Sequence, residues 1–141
     1  MNINEKFTHD YDKYSFGNYI RKRREELGIS CRQLAIKLEI SAAYLSDIEL
    51  GHRNAPLKTK NGKDYLLSFI QFLQINESEL PAFYAMADAA RTTYPDIEEY
   101  LVKNQLARTA VRLAKDIDLS DDEWQNFIAH LQEIKSKKQI T

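Results

Sequence analysis

The amino-acid sequence predicts an all-α fold. Apolar residues recur at helical spacing from Phe16 to Ile134. Four glycines and three prolines are few interruptions for 141 residues, and the β-branched runs that indicate strands are absent. A chain of this length suits one domain, or one small domain with an appended segment. We therefore expect a helical domain followed by a helical extension.

The stretch from residue 30 to residue 51 predicts two short helices joined by a tight turn. Ser30 and Gln33 form a capping box at the start of the first helix, and Ser41 can cap the second. The inward rows are apolar and have helical spacing: Leu34, Ala35, Leu38, Leu45 and Ile48. A connection this short forces the helices to cross steeply, as in a helix-turn-helix. The second helix of that motif enters the major groove of DNA.

Charge is divided unevenly along the chain. Residues 13–63 contain eleven basic and five acidic residues, a net charge of +6, and residues 64–141 carry a net charge of −5. A basic segment beside an acidic one indicates a polyanion-binding module joined to a module with another role. The alternative is two solvated surfaces of opposite sign.

Two charged residues lie on apolar helix faces. Arg24 follows Ile20 by four residues and precedes Leu27 by three, and Glu49 follows Leu45 by four. A lone buried charge costs several kcal/mol, so each of them needs a partner. We expect an Arg24–Glu49 ion pair that fixes the second helix of the motif to the helix before it. The alternative is that both side chains extend to solvent.

Eighteen spaced positions carry a resemblance to a known family: Arg24, Leu27, Gly28, Ser30, Gln33, Leu34, Ala35, Leu38, Ile40, Ser41, Tyr44, Leu45, Ser46, Ile48, Glu49, Gly51, Arg53 and Pro56. This pattern resembles the lambda-repressor/Cro-like, or Xre, family of helix-turn-helix DNA-binding domains. The resemblance implies a five-helix domain that binds operator DNA, usually as a dimer. We expect this domain at residues 16–74, an N-terminal arm at 1–15 and a helical C-terminal region at 75–141.

The chain departs from the family pattern at two positions. The glycine that usually follows the Leu38 position is Glu39 here, and a non-glycine residue in a left-handed conformation costs about 1 kcal/mol. A differently shaped turn is therefore expected. The glutamine often found at the start of the first helix is Cys31, so Ser30, Arg32 and the helix N-terminus are left to hold a phosphate.

By similarity to the family, five outward positions of the second helix contact DNA bases: Ala42, Ala43, Tyr44, Ser46 and Asp47. Alanine can touch a thymine methyl group, and Asp47 can accept a hydrogen bond from cytosine N4. No Arg, Gln or Asn projects from this face. Specificity then depends on apolar contacts and DNA shape, or affinity comes mainly from phosphate contacts. The alternative role of the alanines is to allow close approach of the backbone.

Phosphate contacts have candidates on either side of the second helix. The predicted residues are Ser30, Arg32, His52, Arg53, Asn54, Lys58, Lys60 and Lys63. Such contacts make binding weaken steeply with salt. For each lysine taken alone, simple solvation is the alternative.

The last predicted helix carries a long apolar stripe. Its members are Trp124, Phe127, Ile128, Leu131 and Ile134. This stripe predicts an interface with a second copy or another protein, and a place in the core is the default alternative for such a pattern.

Several functional classes lack support in the sequence. The three histidines share no metal-ligand spacing, Cys31 is the single cysteine, and there is no glycine-rich phosphate loop. We therefore expect no enzymatic activity, no metal and no cofactor. No apolar run approaches the ~20 residues of a membrane span, and the N-terminus has no apolar signal core, which predicts a cytoplasmic protein.

These observations favour a sequence-specific transcriptional regulator that binds double-stranded DNA. We expect a repressor that binds a palindromic operator as a homodimer. An alternative is an antitoxin that covers a basic toxin with its C-terminal region and represses its own operon. Two further alternatives are a regulator whose C-terminal half senses a peptide or small molecule, and a co-regulator that touches DNA loosely.

Overall fold

The computed structural model describes residues 13–56, 63–89 and 94–140, and its regular structure there is helical, so the all-α prediction is confirmed. Most of the predicted arm at 1–15 lies outside these ranges. No helix within them is both long and apolar enough to cross a membrane. The described α-helices are α1 Lys13–Glu26, α2 Cys31–Leu38, α3 Ala42–Glu49, α4 Tyr65–Phe72, α5 Leu80–Asp88, α6 Pro95–Lys103, α7 Gln105–Asp116 and α8 Asp121–Ile140, with a 3-10 turn at Glu77–Glu79.

Helices α1 to α5 share one hydrophobic core. Phe16, Phe69 and Phe83 are fully buried, and the ring of Phe16 lies 5.6 Å from that of Phe69 and 5.5 Å from that of Phe83. Tilted and edge-on ring contacts of this kind add to the gain from burial. Met86 belongs to the same core. Helix α5, which follows the domain boundary expected at residue 74, therefore supplies part of this core.

Gly17, in the first half of α1, permits close contact between α1 and the end of α3. A Cβ atom added at Gly17 would lie 2.3 Å from the carbonyl oxygen of Ile48 and 2.6 Å from that of Glu49. Both are backbone atoms, so neither can rotate away as a flexible side chain would. The missing side chain thus sets how closely α3 is held.

The C-terminal helices pack differently. Helices α6 and α7 contact each other, and Arg108 on α7 donates hydrogen bonds to the carbonyl oxygens of Leu101 and Val102 at the end of α6. Ala114 is the one buried apolar residue among the described residues from 94 onward. Most large apolar side chains of α6 to α8 are exposed, so these helices have no core comparable with that of α1 to α5.

We expect the Gly17→Ala variant to lose about 1–3 kcal/mol of unfolding free energy, the usual cost of overpacking. This loss occurs although alanine favours a helix over glycine by about 1 kcal/mol. Urea denaturation measures it. The matched control is Asn18→Ala, at the neighbouring exposed position of α1, which should not be destabilised. Equal stability of the two variants would contradict the close approach of α1 and α3.

Candidate nucleic-acid interface

Helices α2 and α3 form a helix-turn-helix whose ends are capped by local side chains. The Ser30 hydroxyl accepts from the Gln33 amide at 3.0 Å, and the Gln33 side chain accepts from the Ser30 amide at 2.8 Å. The Ser41 hydroxyl accepts from the Tyr44 amide at 3.0 Å and begins α3. These caps satisfy amide groups that a helix start leaves without partners. The structure thus contains the capping box and the second cap in the expected places.

The turn between α2 and α3 is left-handed at Glu39. Its φ and ψ angles are 60° and 40°. The Glu39 amide donates to the carbonyl oxygen of Ile36 at 3.1 Å, and the Ile40 amide donates to that of Ala35 at 3.0 Å. This is the Schellman arrangement, which glycine usually supplies. The expectation of a differently shaped turn is wrong, because the backbone adopts the left-handed conformation despite the side chain.

Lys63 reaches this turn from the loop before α4. Its ammonium group donates to the carbonyl oxygen of Leu38 and lies 3.1 Å from a carboxylate oxygen of Glu39. It also lies 5.3 Å from the ring centroid of Tyr65. A phosphate contact by Lys63 would compete with these bonds. Lys58 and Lys60 lie outside the described residues.

A buried ion pair joins α1 to the end of α3. Arg24 Nε lies 3.0 Å from Glu49 Oε2, and Arg24 Nη2 lies 2.8 Å from Glu49 Oε1. The third nitrogen, Nη1, donates to the carbonyl oxygen of Ile29 at 2.9 Å. The two side chains are only 12% and 5% exposed, so they do not extend to solvent. The hydrogen bonds with Glu49 raise the pKa of Arg24.

The outward face of α3 is open to solvent and carries a guanidinium group at its edge. Arg53, from the loop after α3, lies over the ring of Tyr44 at 5.2 Å, and its Nε is 3.5 Å from Asp47 Oδ2. His52 Nδ1 lies 3.7 Å from Asp47 Oδ1. Ala42 and Ala43 are exposed, whereas Tyr44, Ser46 and Asp47 are partly exposed. The sequence did not indicate that Asp47 and Tyr44 position Arg53.

The remaining predicted phosphate contacts lie on either side of this face. Ser30 and Arg32 are exposed at the start of α2, and Asn54 is exposed after α3. Cys31 is only partly exposed, and its Sγ lies 3.9 Å from the carbonyl oxygen of Ala42. Burial raises the pKa of the Cys31 thiol. This cysteine is therefore a contact between the starts of α2 and α3.

The predicted C-terminal interface residues do not belong to the core. Their exposed fractions lie between 38% and 61%: Trp124, Phe127, Ile128, Leu131 and Ile134. The default expectation of a core stripe is therefore wrong for this chain, and an interface with another chain stays a prediction.

Comparison with known families supports the helix-turn-helix. Residues 15–83 match the family model of a helix-turn-helix domain. This match begins in α1 and ends in α5, and it therefore covers the helices that share the core. It supports a helix-turn-helix DNA-binding family for this part of the chain. No curated protein and no solved structure matches the chain significantly.

We expect Arg24→Ala to lose about 3–5 kcal/mol of unfolding free energy, because Glu49 is left as an uncompensated buried charge. DNA binding should fall with it, since α3 loses one of its contacts with α1. The matched control is Arg21→Ala, which removes only an exposed pair with Glu25 and should cost less than about 1 kcal/mol. Thermal melting and fluorescence anisotropy measure the two effects. Unchanged melting and binding in the Arg24 variant would refute the role of the pair.

We expect Glu39→Gly to be more stable than Glu39→Ala by about 1 kcal/mol, because only glycine adopts the left-handed conformation without strain. Both variants lose the contact between Glu39 and Lys63, so their difference isolates the backbone term. Urea denaturation of the pair measures this difference. If the alanine variant were as stable as the glycine variant, the turn would not be strained.

Proposed function

We propose that this protein is a sequence-specific transcriptional regulator, a repressor that binds a palindromic operator in double-stranded DNA as a homodimer. The observation that supports it best is the open face of α3, which a buried ion pair holds in a helix-turn-helix. The two half-sites would lie about 34 Å apart, one helical turn of DNA. Occupation of the operator, rather than a chemical reaction, would block transcription in the cytoplasm.

The outward face of α3, the recognition face of our proposal, favours close approach to DNA over strong hydrogen bonding. Ala42 and Ala43 are small and exposed, so α3 can lie deep in the major groove and touch thymine methyl groups. Tyr44, Ser46 and Asp47 would face base edges beside them. The Asp47 carboxylate also lies 3.5 Å from Arg53 Nε, so the guanidinium group would compete with a base for it. Base reading by this face is therefore modest in our proposal.

Phosphate contacts would supply most of the affinity. The N-terminus of α2, with Ser30 and Arg32, would hold one phosphate. His52, Arg53 and Asn54 would hold the backbone on the other side of α3, and Lys58, Lys60 and Lys63 are further candidates. Arg53 is the strongest of these, because Tyr44 and Asp47 orient its planar guanidinium group, which can bind a phosphate with two hydrogen bonds.

Selection of DNA from a random pool tests the proposed function. The selected sequence should contain a dyad, and the protein should bind it about 10³-fold or more tightly than a scrambled duplex at the same salt concentration. Equal affinity for the two duplexes would contradict sequence-specific regulation and favour a loosely bound co-regulator.

We expect Arg53→Ala to weaken operator binding by roughly tenfold to a hundredfold, the value of a charge-assisted hydrogen bond. The slope of log affinity against log salt should fall in magnitude by about 1, as for one lost phosphate contact. Anisotropy titrations at several salt concentrations measure both quantities. The control is Lys115→Ala, an exposed basic residue of α7 with the same change in charge, which should leave the slope unchanged. An unchanged slope in the Arg53 variant would exclude that residue as a phosphate contact.

A further inference from the structure

Helix α8 presents an apolar stripe that its own chain leaves exposed. The helix has 20 residues, a length of about 30 Å. Among the described residues, none of the closely packed helix pairs includes α8. Its exposed stripe runs from Trp124, through Phe127, Ile128 and Leu131, to Ile134. A stripe on a long surface helix is suited to a partner helix of similar length.

The spacing of this stripe is that of a short coiled coil. Trp124, Phe127, Leu131 and Ile134 follow one another at intervals of three, four and three residues. This is the alternation of a and d positions in a heptad repeat, in which apolar side chains form a seam between two helices. Two rows of residues flank the seam, and their charges influence which helix binds and in which direction.

The two ends of α8 have opposite charge. Asp121, Asp122 and Glu123 occupy the first turn, and Lys137 and Lys138 occupy the last turn. Lys135 lies just before them. A parallel pair of α8 helices would place like charges together at both ends. An antiparallel pair would place the acidic end of each helix beside the basic end of the other.

One antiparallel register places apolar residues opposite apolar residues and acidic residues opposite basic ones. When Trp124 faces Ile134 of a second copy, Phe127 faces the second copy's Leu131. In an antiparallel pair each flanking row faces itself, so Asp121 then faces Lys135 of the second copy. On the other side Glu123 faces the second copy's Lys137. Each flanking row therefore brings an acidic and a basic residue together at the ends of the pair, in the register that aligns the seam.

From this coincidence we infer that α8 pairs antiparallel with α8 of a second copy around a two-fold axis. The inference rests on the homodimer of the proposed function and assigns its interface. A two-fold interface needs a surface that is complementary to itself, and α8 is such a surface in apolar spacing and in charge. A basic toxin would match only the acidic first turn and would face repulsion at the basic end.

Cysteine cross-linking without DNA tests the direction and register. In a Cys31→Ser background, the double variant Trp124→Cys/Ile134→Cys should form intermolecular cross-links on oxidation or with a short bis-maleimide. A mixture of the two single variants should also cross-link. Neither single variant alone should do so. In this register the two copies of residue 124, or of residue 134, are ten residues apart along the helix axis. That distance is about 15 Å, too long for a disulfide. Efficient cross-linking by each single variant would indicate a parallel pair and overturn the inference.

Charge reversal tests the flanking rows. Lys135→Glu should raise the dimer dissociation constant about tenfold, since it changes attraction to repulsion at two symmetric sites. The double variant Asp121→Lys/Lys135→Glu should recover most of this loss. The control is Ser136→Glu, which adds negative charge at the same end of α8 on the exposed side opposite the seam. Equal effects of Lys135→Glu and Ser136→Glu would exclude the proposed register.

Dimerisation and DNA binding are separable in these measurements. Sedimentation at increasing protein concentration without DNA measures dimerisation. Trp124 is the single tryptophan, so its fluorescence emission should shift to shorter wavelength over the same concentrations. A monomer at tens of micromolar that still binds operator would overturn the α8 pair and leave the proposed DNA binding intact. A dimer with the expected cross-links but no DNA binding would overturn the proposed function alone. A co-purifying basic protein that displaces the second copy from α8 would refute the inference and favour an antitoxin.

Discussion

The orientation of the recognition helix depends on the buried ion pair of Arg24 and Glu49. Helix α3 has eight residues, and isolated helices of that length are not stable in water. Its position must therefore come from contacts with the rest of the domain. Another orientation would leave two buried charges without partners, which is far more costly than the pair itself. Gly17 acts in the same direction, because it lets α1 touch the backbone at the end of α3.

The sequence predicted those features that depend on the periodic pattern within a helix. Arg24 and Glu49 could be paired because each is a charge at an apolar position of a periodic helix. Gly17 could not be recognised, because its role depends on the backbone atoms it faces. Arg23 and Lys63 cap the ends of α4 and α2 through carbonyl oxygens distant in sequence. In the sequence such long basic side chains are indistinguishable from solvated ones or from phosphate contacts.

The two parts of the chain are stabilised in different ways. Helices α1 to α5 surround large buried side chains from Phe16 to Met86, whereas α6 to α8 leave most of their large apolar residues exposed. Periodicity predicted the apolar face of α8 correctly, but it does not specify what covers that face. The same spacing is found in helices that pack on their own core and in helices that bind a second chain. Only the three-dimensional arrangement distinguishes these two cases.

Two features are explained together if the protein acts as a dimer: the outward face of α3 has few groups that hydrogen-bond to bases, and the apolar stripe of α8 is exposed. A good bidentate contact to a base contributes about 1–3 kcal/mol of discrimination, and α3 presents no Arg, Gln or Asn that makes one. When two weakly discriminating DNA-binding domains are linked, the second binding event becomes intramolecular, so the affinities for the two half-sites combine. The linkage helps only where both half-sites have the correct separation. In this proposal, the separation of the two α3 helices would supply selectivity that their side chains lack.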